Sequence, residues 1–599
     1  MRLPIIALIV IAILATDVAA QPSLPATGLA AEGEGRWADA LRAYREHVER
    51  EPAAADAWLR IADIEARLAH PDQAIAALQQ AASARRDAAT LARLSRAYAA
   101  QGYAEAALHA IEGALVLQPD AEEHLRAAAT LATWAGDYVA ASDAYLRLRK
   151  SHPQEAALTL AFARVNTWAG QSDTAAAAYR EYLQTAGADR DAWLELARVE
   201  SWRGNTAAAL AVLETCQLRF GISDAVVRER AAILARGGRP REALQMLRPL
   251  LAAAPTDPAL NVAQTIALAS VRRHGEAVST LNTMRSQGAE AEARTTDGVV
   301  RSLLGTSVGP ALTFYDDSDG LHAARFAPKG DIGLRSDTRI HAGYDYIDLS
   351  ARVGSGLETV SGASTATVDQ VWAGASQRIG SLTLGGTVGE SRTDVERLTS
   401  YSAVVRFAPS DSLTVALERT FGFATISPRT VSLGLTELGH RGQVDWMLSD
   451  RFRVAVDGGY ASLSDGNARW TLFFSPRAAV ARTQRLNLDL GFLVHQFGAE
   501  QNLDHGYYDP RRYQHYAAVV APYWKASENI GVAISAGIGP QRDDASQGFT
   551  LGMNTSVDAT FGIYREWMLR VHGSATNNRR LESGAFRGTS GGVVLLRRF

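Results

Sequence analysis

The sequence of 599 residues predicts an α + β multidomain protein. An N-terminal all-α tetratricopeptide-repeat solenoid should be followed by a C-terminal transmembrane antiparallel β-barrel of about 16 strands. Three observations lead to this prediction. Small residues recur at a fixed spacing before residue 300, the hydrophobic period changes from helical to alternating after it, and the chain begins with an apolar leader. A chain of this length is also too long for a single hydrophobic core.

The repeat array carries two ladders of small residues. A glycine and, five positions later, an alanine recur every 34 residues. The pairs are Gly102 and Ala107, Gly136 and Ala141, Gly170 and Ala175, Gly204 and Ala209, and Gly238 and Ala243. This is the tetratricopeptide period, in which glycine suits the turn of a helical hairpin and alanine allows close helix packing. Ala40, Ala74 and Ala277 extend the register, so residues 21–300 should form about seven or eight hairpins stacked as a solenoid.

A tryptophan lies two residues before three of these glycines, at Trp134, Trp168 and Trp202. Two interpretations of this series stay open. The rings fill gaps between neighbouring repeats, or they stand on the concave face as flat platforms for sugar rings or a partner. We therefore treat all three as candidate glycan or partner contacts.

The first twenty residues are expected to be an export signal. Arg2 gives a positive start, residues 3–15 are nearly all apolar, and small residues precede Gln21. The run is short for a membrane span, although an uncleaved anchor is the alternative interpretation. Cys216 is the only cysteine, which excludes an internal disulfide and a cysteine metal cluster.

Residues 301–599 are predicted to form the barrel. Segments of about ten residues alternate apolar with small or polar side chains, and short turns and longer polar loops separate them. Arg453–Asp457 and Asn487–Phe492 are examples. The last segment, Gly591–Phe599, stops on an aromatic residue, as outer-membrane barrels commonly do.

The charge balance bears on what such a barrel would conduct. A barrel of about 16 strands leaves an aqueous lumen, which favours transport. The formal net charge of the chain is -3, and acidic and basic residues are nearly balanced in the barrel half. This balance gives no sign of nucleic-acid binding, and it favours a neutral or weakly charged glycan over a strongly anionic polymer.

The two-part architecture resembles the outer-membrane exopolysaccharide exporters, namely the cellulose synthase operon C subunit and the poly-N-acetylglucosamine export porin. Two segments carry the resemblance, Phe314–Gly320 and Gly506–Tyr513. The second is similar to the Gly-Tyr-aromatic-x-Pro-x-x-Tyr segment of the cellulose-type barrel. The repeat array, however, is much shorter than in typical cellulose exporters.

The resemblance implies an outer-membrane pore for a cellulose-like or poly-N-acetylglucosamine-like polymer, with a role in cellulose biosynthesis or biofilm formation. The repeats would lie in the periplasm and guide the polymer or dock partners. The expected partners are the polysaccharide, periplasmic and inner-membrane synthase components and outer-membrane lipid, but no nucleic acid. No cofactor would be needed.

Three tyrosines of the resembling segment, Tyr507, Tyr508 and Tyr513, are further candidate glycan or partner contacts. Aromatic rings stack on sugars, but they also anchor barrels at the membrane interface, and both interpretations stay open.

Two other functions are weighed against export. One is a surface receptor or scaffold without transport, and the other is a barrel hydrolase using His572 and Ser574, which share one face of a strand. No third group orients the histidine. Asp316, Asp317 and Asp319 lack the downstream glutamate of a calcium loop and indicate a solvated turn. We expect no enzyme, no catalytic residue and no metal site.

Overall fold

The computed structural model describes residues 24–334, 337–503, 505–544, 546, 548–577 and 587–599. The expected export signal, residues 1–20, lies outside the described residues. The chain divides into two compact units, Met1–Ala188 and Asp189–Phe599. This division falls within the helical repeats, whereas helices give way to strands between Leu304 and Ser307.

The first unit, where described, consists of five helical hairpins. Its helices are α1 (Ala26–Gly33), α2 (Trp37–Arg50), α3 (Ala55–Arg67), α4 (Pro71–Ala84), α5 (Ala88–Ala100), α6 (Ala104–Leu117), α7 (Glu122–Ala135), α8 (Tyr138–Ser151), α9 (Ala156–Trp168) and α10 (Ser172–Thr185). The two helices of each hairpin pack against each other, and each hairpin packs against the next.

The second unit begins with three more hairpins and one final helix. These helices are α11 (Arg190–Trp202), α12 (Thr206–Phe220), α13 (Asp224–Arg236), α14 (Pro240–Ala253), α15 (Pro258–Ser270), α16 (His274–Ser286) and α17 (Glu290–Leu304). Helix α17 packs against both helices of the last hairpin. Of the helices that the structure describes, none is long and apolar enough to cross a membrane.

The structure gives a physical reason for both ladders. The ladder glycines lie in the turns within hairpins with φ between +70° and +82°, a region that glycine enters without a steric penalty. The ladder alanines are buried between the helices, where a larger side chain would push the helices apart. Two turns of the series carry another residue: Ala69 and Arg272, both with φ of +60°.

The rest of the second unit is a closed barrel of antiparallel strands. The strands are β1 (Ser307–Gly309 and Ala311–Asp317), β2 (Leu321–Phe326 and Lys329–Gly333), β3 (Thr338–Ala351), β4 (Thr365–Ile379), β5 (Leu382–Arg392), β6 (Arg397–Phe407), β7 (Leu413–Phe423), β8 (Thr436–Ser449), β9 (Phe452–Leu463), β10 (Ala468–Arg482), β11 (Leu486–Ala499), β12 (Tyr513–Ser527), β13 (Ile530–Asp543), β14 (Thr550–Phe561), β15 (Trp567–Thr576) and β16 (Gly588–Arg598).

Proline explains why the first two strands are each interrupted. Pro310 splits β1 and Pro328 splits β2, because proline has no N–H to donate to a neighbouring strand. The two halves of each strand continue one another, since both halves of β1 pair with β16. With each interrupted strand counted once, the predicted barrel of about 16 strands is confirmed.

The strands alternate between an apolar outer face and a polar inner face, as a membrane-spanning barrel requires. Val371, Leu417 and Val480 are examples of exposed outer residues. Short turns such as residues 380–381 lie at the end where α14–α17 pack, which we call the near end. Longer loops such as residues 424–435 lie at the opposite end, which we call the far end.

Candidate functional site at the two ends and in the lumen of the barrel

The near end is joined to the repeats by an aspartate that caps a helix. The carboxylate of Asp411, in the turn between β6 and β7, accepts hydrogen bonds from the backbone N–H groups of Arg241 and Glu242 at 2.9 and 3.3 Å. These N–H groups begin α14 and would otherwise lack partners. The Arg241 guanidinium also pairs with Asp411 at 3.2 Å and donates to the Ala408 carbonyl at 2.7 Å.

The next hairpin is attached in the same way. His274, the first residue of α16, donates from Nδ1 to the Leu334 carbonyl at 2.9 Å, and Asp337 accepts from the Gly275 N–H at 3.4 Å. The Arg339 guanidinium donates to the carbonyl of Leu304 at the end of α17, at 2.9 Å. Residues at the near end of the barrel therefore satisfy backbone groups at the ends of three helices.

A cavity of about 880 Å³, here called the mouth cavity, opens between these helices and the inner wall of the barrel. Six arginines and four aspartates are among the described residues that line it. Each of the four aspartates is engaged by an arginine. The pairs are Asp337 with Arg378, Asp411 with Arg241, Asp445 with Arg453 and Asp457 with Arg441.

A second cavity, of about 690 Å³, lies within the lumen and is lined by paired charges and aromatic rings. Arg441 donates to Asp457 at 2.7 Å, and Arg469 pairs with Glu437. The ring of Phe473 stacks on His495 with a centroid distance of 3.9 Å. Sugar rings are recognised by this combination of flat faces and hydrogen-bonding groups.

The stacking continues along neighbouring strands toward the far end. The ring centroids of His495 and Phe497 are 5.2 Å apart, and those of Phe497 and Tyr513 are 4.5 Å apart in a stacked arrangement. These inward positions on β10, β11 and β12 form one aromatic series. Only Tyr513 of this series was identified from the sequence. Phe473, His495 and Phe497 could have been found from the sequence, because they occupy inward positions on successive predicted strands.

A short helix, α18 (Pro428–Ser432), folds inward at the far end. It lies in the loop between β7 and β8, and its Val431 packs in one buried cluster with Leu349 of β3 and Val368 of β4. Before α18, Ser427 donates from Oγ to the Gly506 carbonyl at 2.6 Å. The loop therefore connects strands β3 and β4 with the loop between β11 and β12.

The far end also contains a buried hydrogen-bond network around Asp465. Tyr507 donates to its carboxylate at 2.7 Å, His505 lies at 3.0 Å, and the Asn467 N–H donates at 3.0 Å. Burial raises the pKa of Asp465, but the hydrogen bonds from His505, Tyr507 and Asn467 outweigh burial and hold that pKa below its ordinary value. Burial raises the pKa of the neighbouring Asp509 carboxyl.

The three ladder tryptophans are exposed at the ends of their helices. The exposed fractions are 66% for Trp134, 53% for Trp168 and 49% for Trp202. Trp168 has a ring neighbour, Tyr138, at a centroid distance of 5.7 Å. A large part of each ring is therefore accessible to a ligand, while Trp168 also contacts the preceding hairpin through Tyr138.

The three candidate tyrosines are placed differently from the tryptophans. Tyr507 and Tyr513 are 6% and 1% exposed, so their rings support the far end and offer little surface to a polymer. The Tyr513 hydroxyl donates to Gln541 at 2.8 Å, and the Tyr508 hydroxyl donates to Asp543 at 2.6 Å. The physical reason is that each hydroxyl finds a buried acceptor in the wall or loops of the barrel.

The structure places the aspartates of residues 316–319 at a turn, where Asp317 is only 7% exposed. Asp317 accepts the N–H groups of Asp319 and Leu321 at 2.9 and 3.0 Å, which is a turn closed by its own side chain. Within the described ranges, no group of three or more histidine, cysteine, aspartate or glutamate side chains could hold a metal ion. Ser574 shares a hydrogen bond with Ser590 at 2.7 Å, and among the described residues His572 makes no hydrogen bond to Ser574.

No protein-family model matches this chain. No curated protein matches it significantly. Among solved structures, a bacterial polysaccharide outer membrane secretin matches with 15% identity and a TM-score of 0.42, over 49% of this chain and 98% of that chain. A tetratricopeptide repeat protein from Parabacteroides merdae matches with 15% identity and a TM-score of 0.23, over 40% and 96%. MamA matches with 18% identity and a TM-score of 0.22, over 26% and 87%. Similarities of this size assign no activity, substrate or partner to the chain.

Proposed function

We propose that this chain exports an exopolysaccharide across the outer membrane. The barrel would be the pore, and the repeats would lie in the periplasm, where they guide the polymer or dock synthase components. The single observation that carries the proposal is the closed 16-strand barrel, whose inner face holds water-accessible polar groups and an aromatic series instead of a packed apolar core.

The composition of the lumen supports a glycan as cargo. Phe473 and His495 offer flat faces, while Glu418, Thr420 and Asn554 line the same cavity with hydrogen-bonding groups. Arg441 pairs with Asp457 and Arg469 pairs with Glu437 in this cavity, so a largely uncharged chain would pass without a deep electrostatic trap. A cellulose-like or poly-N-acetylglucosamine-like polymer, as the family resemblance implies, fits these surroundings.

The contacts of α14 and α16 with the barrel support a role for the last repeats in delivering the polymer to the pore. Asp411 and Asp337 hold the first turns of α14 and α16 at the rim of the pore. A polymer or a partner on those hairpins would therefore be close to the mouth cavity. This arrangement would suit a passive exporter, in which elongation at the inner membrane drives the chain outward.

The test is conductance of the purified full chain in planar bilayers, with block by cellohexaose. We expect steps of open-channel current and block by the neutral oligosaccharide. Phe473→Ala should weaken that block roughly three- to tenfold, because it removes an inward ring face. Phe474→Ala is a matched control, since the adjacent side chain faces outward. A silent wild-type protein, or unchanged secreted polysaccharide after deletion of the gene, would contradict the proposal.

The second candidate is a surface receptor or scaffold that transports nothing. The inward fold of α18 favours it, because this loop occupies part of the far end. Conductance separates the two candidates, since a plugged anchor stays silent.

The exposed tryptophans provide a separate test of the repeats. Trp134→Ala should lower the affinity of the full chain for cellohexaose if this face holds sugar rings, and titration calorimetry measures the change. Leu218→Ala is a control at another exposed apolar residue of the repeats. Equal affinities of wild type and Trp134→Ala would restrict the tryptophans to protein partners.

A further inference from the structure

The last hairpin turn departs from the glycine ladder at the place where the repeats meet the barrel. Arg272 follows Gly238 by one period of 34 residues and adopts φ of +60°. An L-residue with a side chain is strained in this region, whereas glycine is not. Every ladder turn from Gly102 to Gly238 uses glycine. The arginine is therefore retained against a backbone preference, which directs attention to its side chain.

The side chain of Arg272 lines the mouth cavity together with Arg406 of β6. Both residues are exposed to solvent. Across the part of the chain that the structure describes, neither guanidinium has a carboxylate within ion-pair distance. The other four arginines of this cavity each pair with an aspartate. Two unneutralised cations thus remain at the rim of the pore.

The surroundings of Arg272 disfavour its charged form, although the residue reaches solvent. Enclosure by the protein, followed by the positive charges of Arg339 and Arg406, lowers the pKa of Arg272. The Arg378 guanidinium approaches the Arg272 backbone carbonyl at 3.3 Å, which holds the turn in place. An anion in the cavity would relieve the repulsion between fixed cations.

We propose that Arg272 and Arg406 bind oxyanion groups, carboxylate or phosphate, carried by the glycan that the barrel exports. This proposal rests on the proposed function and narrows its cargo to a polymer with anionic substituents. Guanidinium groups present paired N–H donors that match two oxygens of one carboxylate or phosphate. Two sites at the rim suit sparse substituents on a chain, since a densely charged polymer would need cations along the whole lumen.

The experiment uses the full chain in planar bilayers, with ligand added on the side of the repeats. Reversal potential in a salt gradient measures ion selectivity, and block is measured with a hexameric uronate, with cellohexaose and with inorganic phosphate. Wild type should prefer anions and be blocked by the uronate at lower concentration than by cellohexaose. Arg272→Gly restores the residue of the other turns, and together with Arg406→Gln it should weaken uronate block roughly tenfold or more.

Two controls separate charge from backbone strain. Arg451→Gln removes an exposed arginine of a near-end turn outside the cavity, and Ala69→Gly relieves the same backbone strain without removing a charge. Both should leave selectivity and uronate block unchanged. Arg406→Lys should keep ion selectivity but lose part of the uronate block, because lysine lacks the planar fork.

The outcomes distinguish this inference from the proposed function. Open channels whose uronate block is unaffected by Arg272→Gly and Arg406→Gln would overturn the inference and leave export intact. Block by free phosphate at the same concentration as the uronate would also overturn it, since the site would then serve small anions. If the channel is silent, export fails, and calorimetry with the uronate decides the site: wild-type binding that the two variants abolish supports it, and no binding overturns it.

Discussion

The two ends of the barrel differ in how their polar and charged side chains are paired. At the near end, Arg272 and Arg406 line the mouth cavity without a carboxylate partner in the described part of the chain. At the far end, Ser427, Thr430 and Asn467 are each almost fully enclosed and hydrogen-bonded. Charges that reach water are free to bind a ligand, whereas a hydrogen-bonded buried network holds one arrangement.

This difference indicates a division of labour. The proposed anion site lies at the near end, whereas hydrogen bonds and apolar contacts hold a loop in position at the far end. Because α18 packs on the inner wall through Val431, any opening of the far end has to break a small apolar cluster and the bond from Ser427 to Gly506. If the two proposals hold, recognition would lie at the near end and closure at the far end.

The largest expected effect comes from removing the far-end loop. Replacement of residues 425–434 by a short Gly-Ser turn should raise single-channel conductance by about twofold or more, because α18 no longer narrows the lumen. Single-channel recording measures the change, and heat-dependent gel migration checks that the barrel is still folded. Unchanged conductance would show that α18 does not narrow the lumen, and it would contradict the proposed difference between the two ends.

At the near end, Asp411→Ala should detach the start of α14 from the barrel. The change removes the side-chain carboxylate that accepts hydrogen bonds from two backbone N–H groups and pairs with Arg241, and these interactions together stabilise the contact by about 2 kcal/mol. Hydrogen exchange of the first turn of α14 should accelerate accordingly. Asp450→Ala is the control, because this exposed aspartate lies in another near-end turn. Equal exchange in both variants would argue that the helix is held by packing alone.

The fold was predictable because its signals are local. The 34-residue ladders reflect steric limits at turns and contacts, and alternation along a strand reflects its two faces. The strand number followed from segment length and spacing alone. The exposure of Trp134 was not predictable, since a small error in helix rotation moves a ring from the interior to the surface.

The near-end site was beyond sequence reasoning because its members are far apart in the chain. Arg241 and Asp411 are 170 positions apart, and only closure of the barrel brings them together. Arg272 did give a signal, since it breaks the glycine ladder. Its meaning needed the position of the turn at the rim of the pore. Tyr507 and Tyr513 were proposed as contact residues but are buried. A tyrosine-rich segment has the same sequence pattern whether its rings are buried or accessible.

A smaller effect is expected from acid at the far end. The pKa of Asp465 is lowered in the folded protein, so its stabilising contribution is present above the ordinary aspartate pKa and is lost as the pH falls through the lowered value. Asp465→Asn should remove about 1–2 kcal/mol of local stability at neutral pH by weakening the bonds to Tyr507 and His505. Channel flicker between pH 7 and pH 3 measures this effect, which should be reduced in the variant. The near-end arginines stay charged over that range, so ion selectivity should not change with pH. A change of selectivity without a change of flicker would contradict the assignment of the pH effect to Asp465.

The smallest expected effect compares two turns with the same backbone strain. Ala69→Gly in the first unit should raise its stability by roughly 0.5–1 kcal/mol, because glycine adopts the left-handed conformation without a clash. Arg272→Gly should give a gain of similar size, seen as slower hydrogen exchange around that turn, while it impairs uronate block. Ala76→Gly, at an exposed position inside α4, should instead lose about 0.5–1 kcal/mol. If Arg272→Gly lowers stability, the arginine supports the joint between repeats and barrel. If stability rises while recognition falls, the near end keeps a strained residue for binding, since packing would have favoured glycine there.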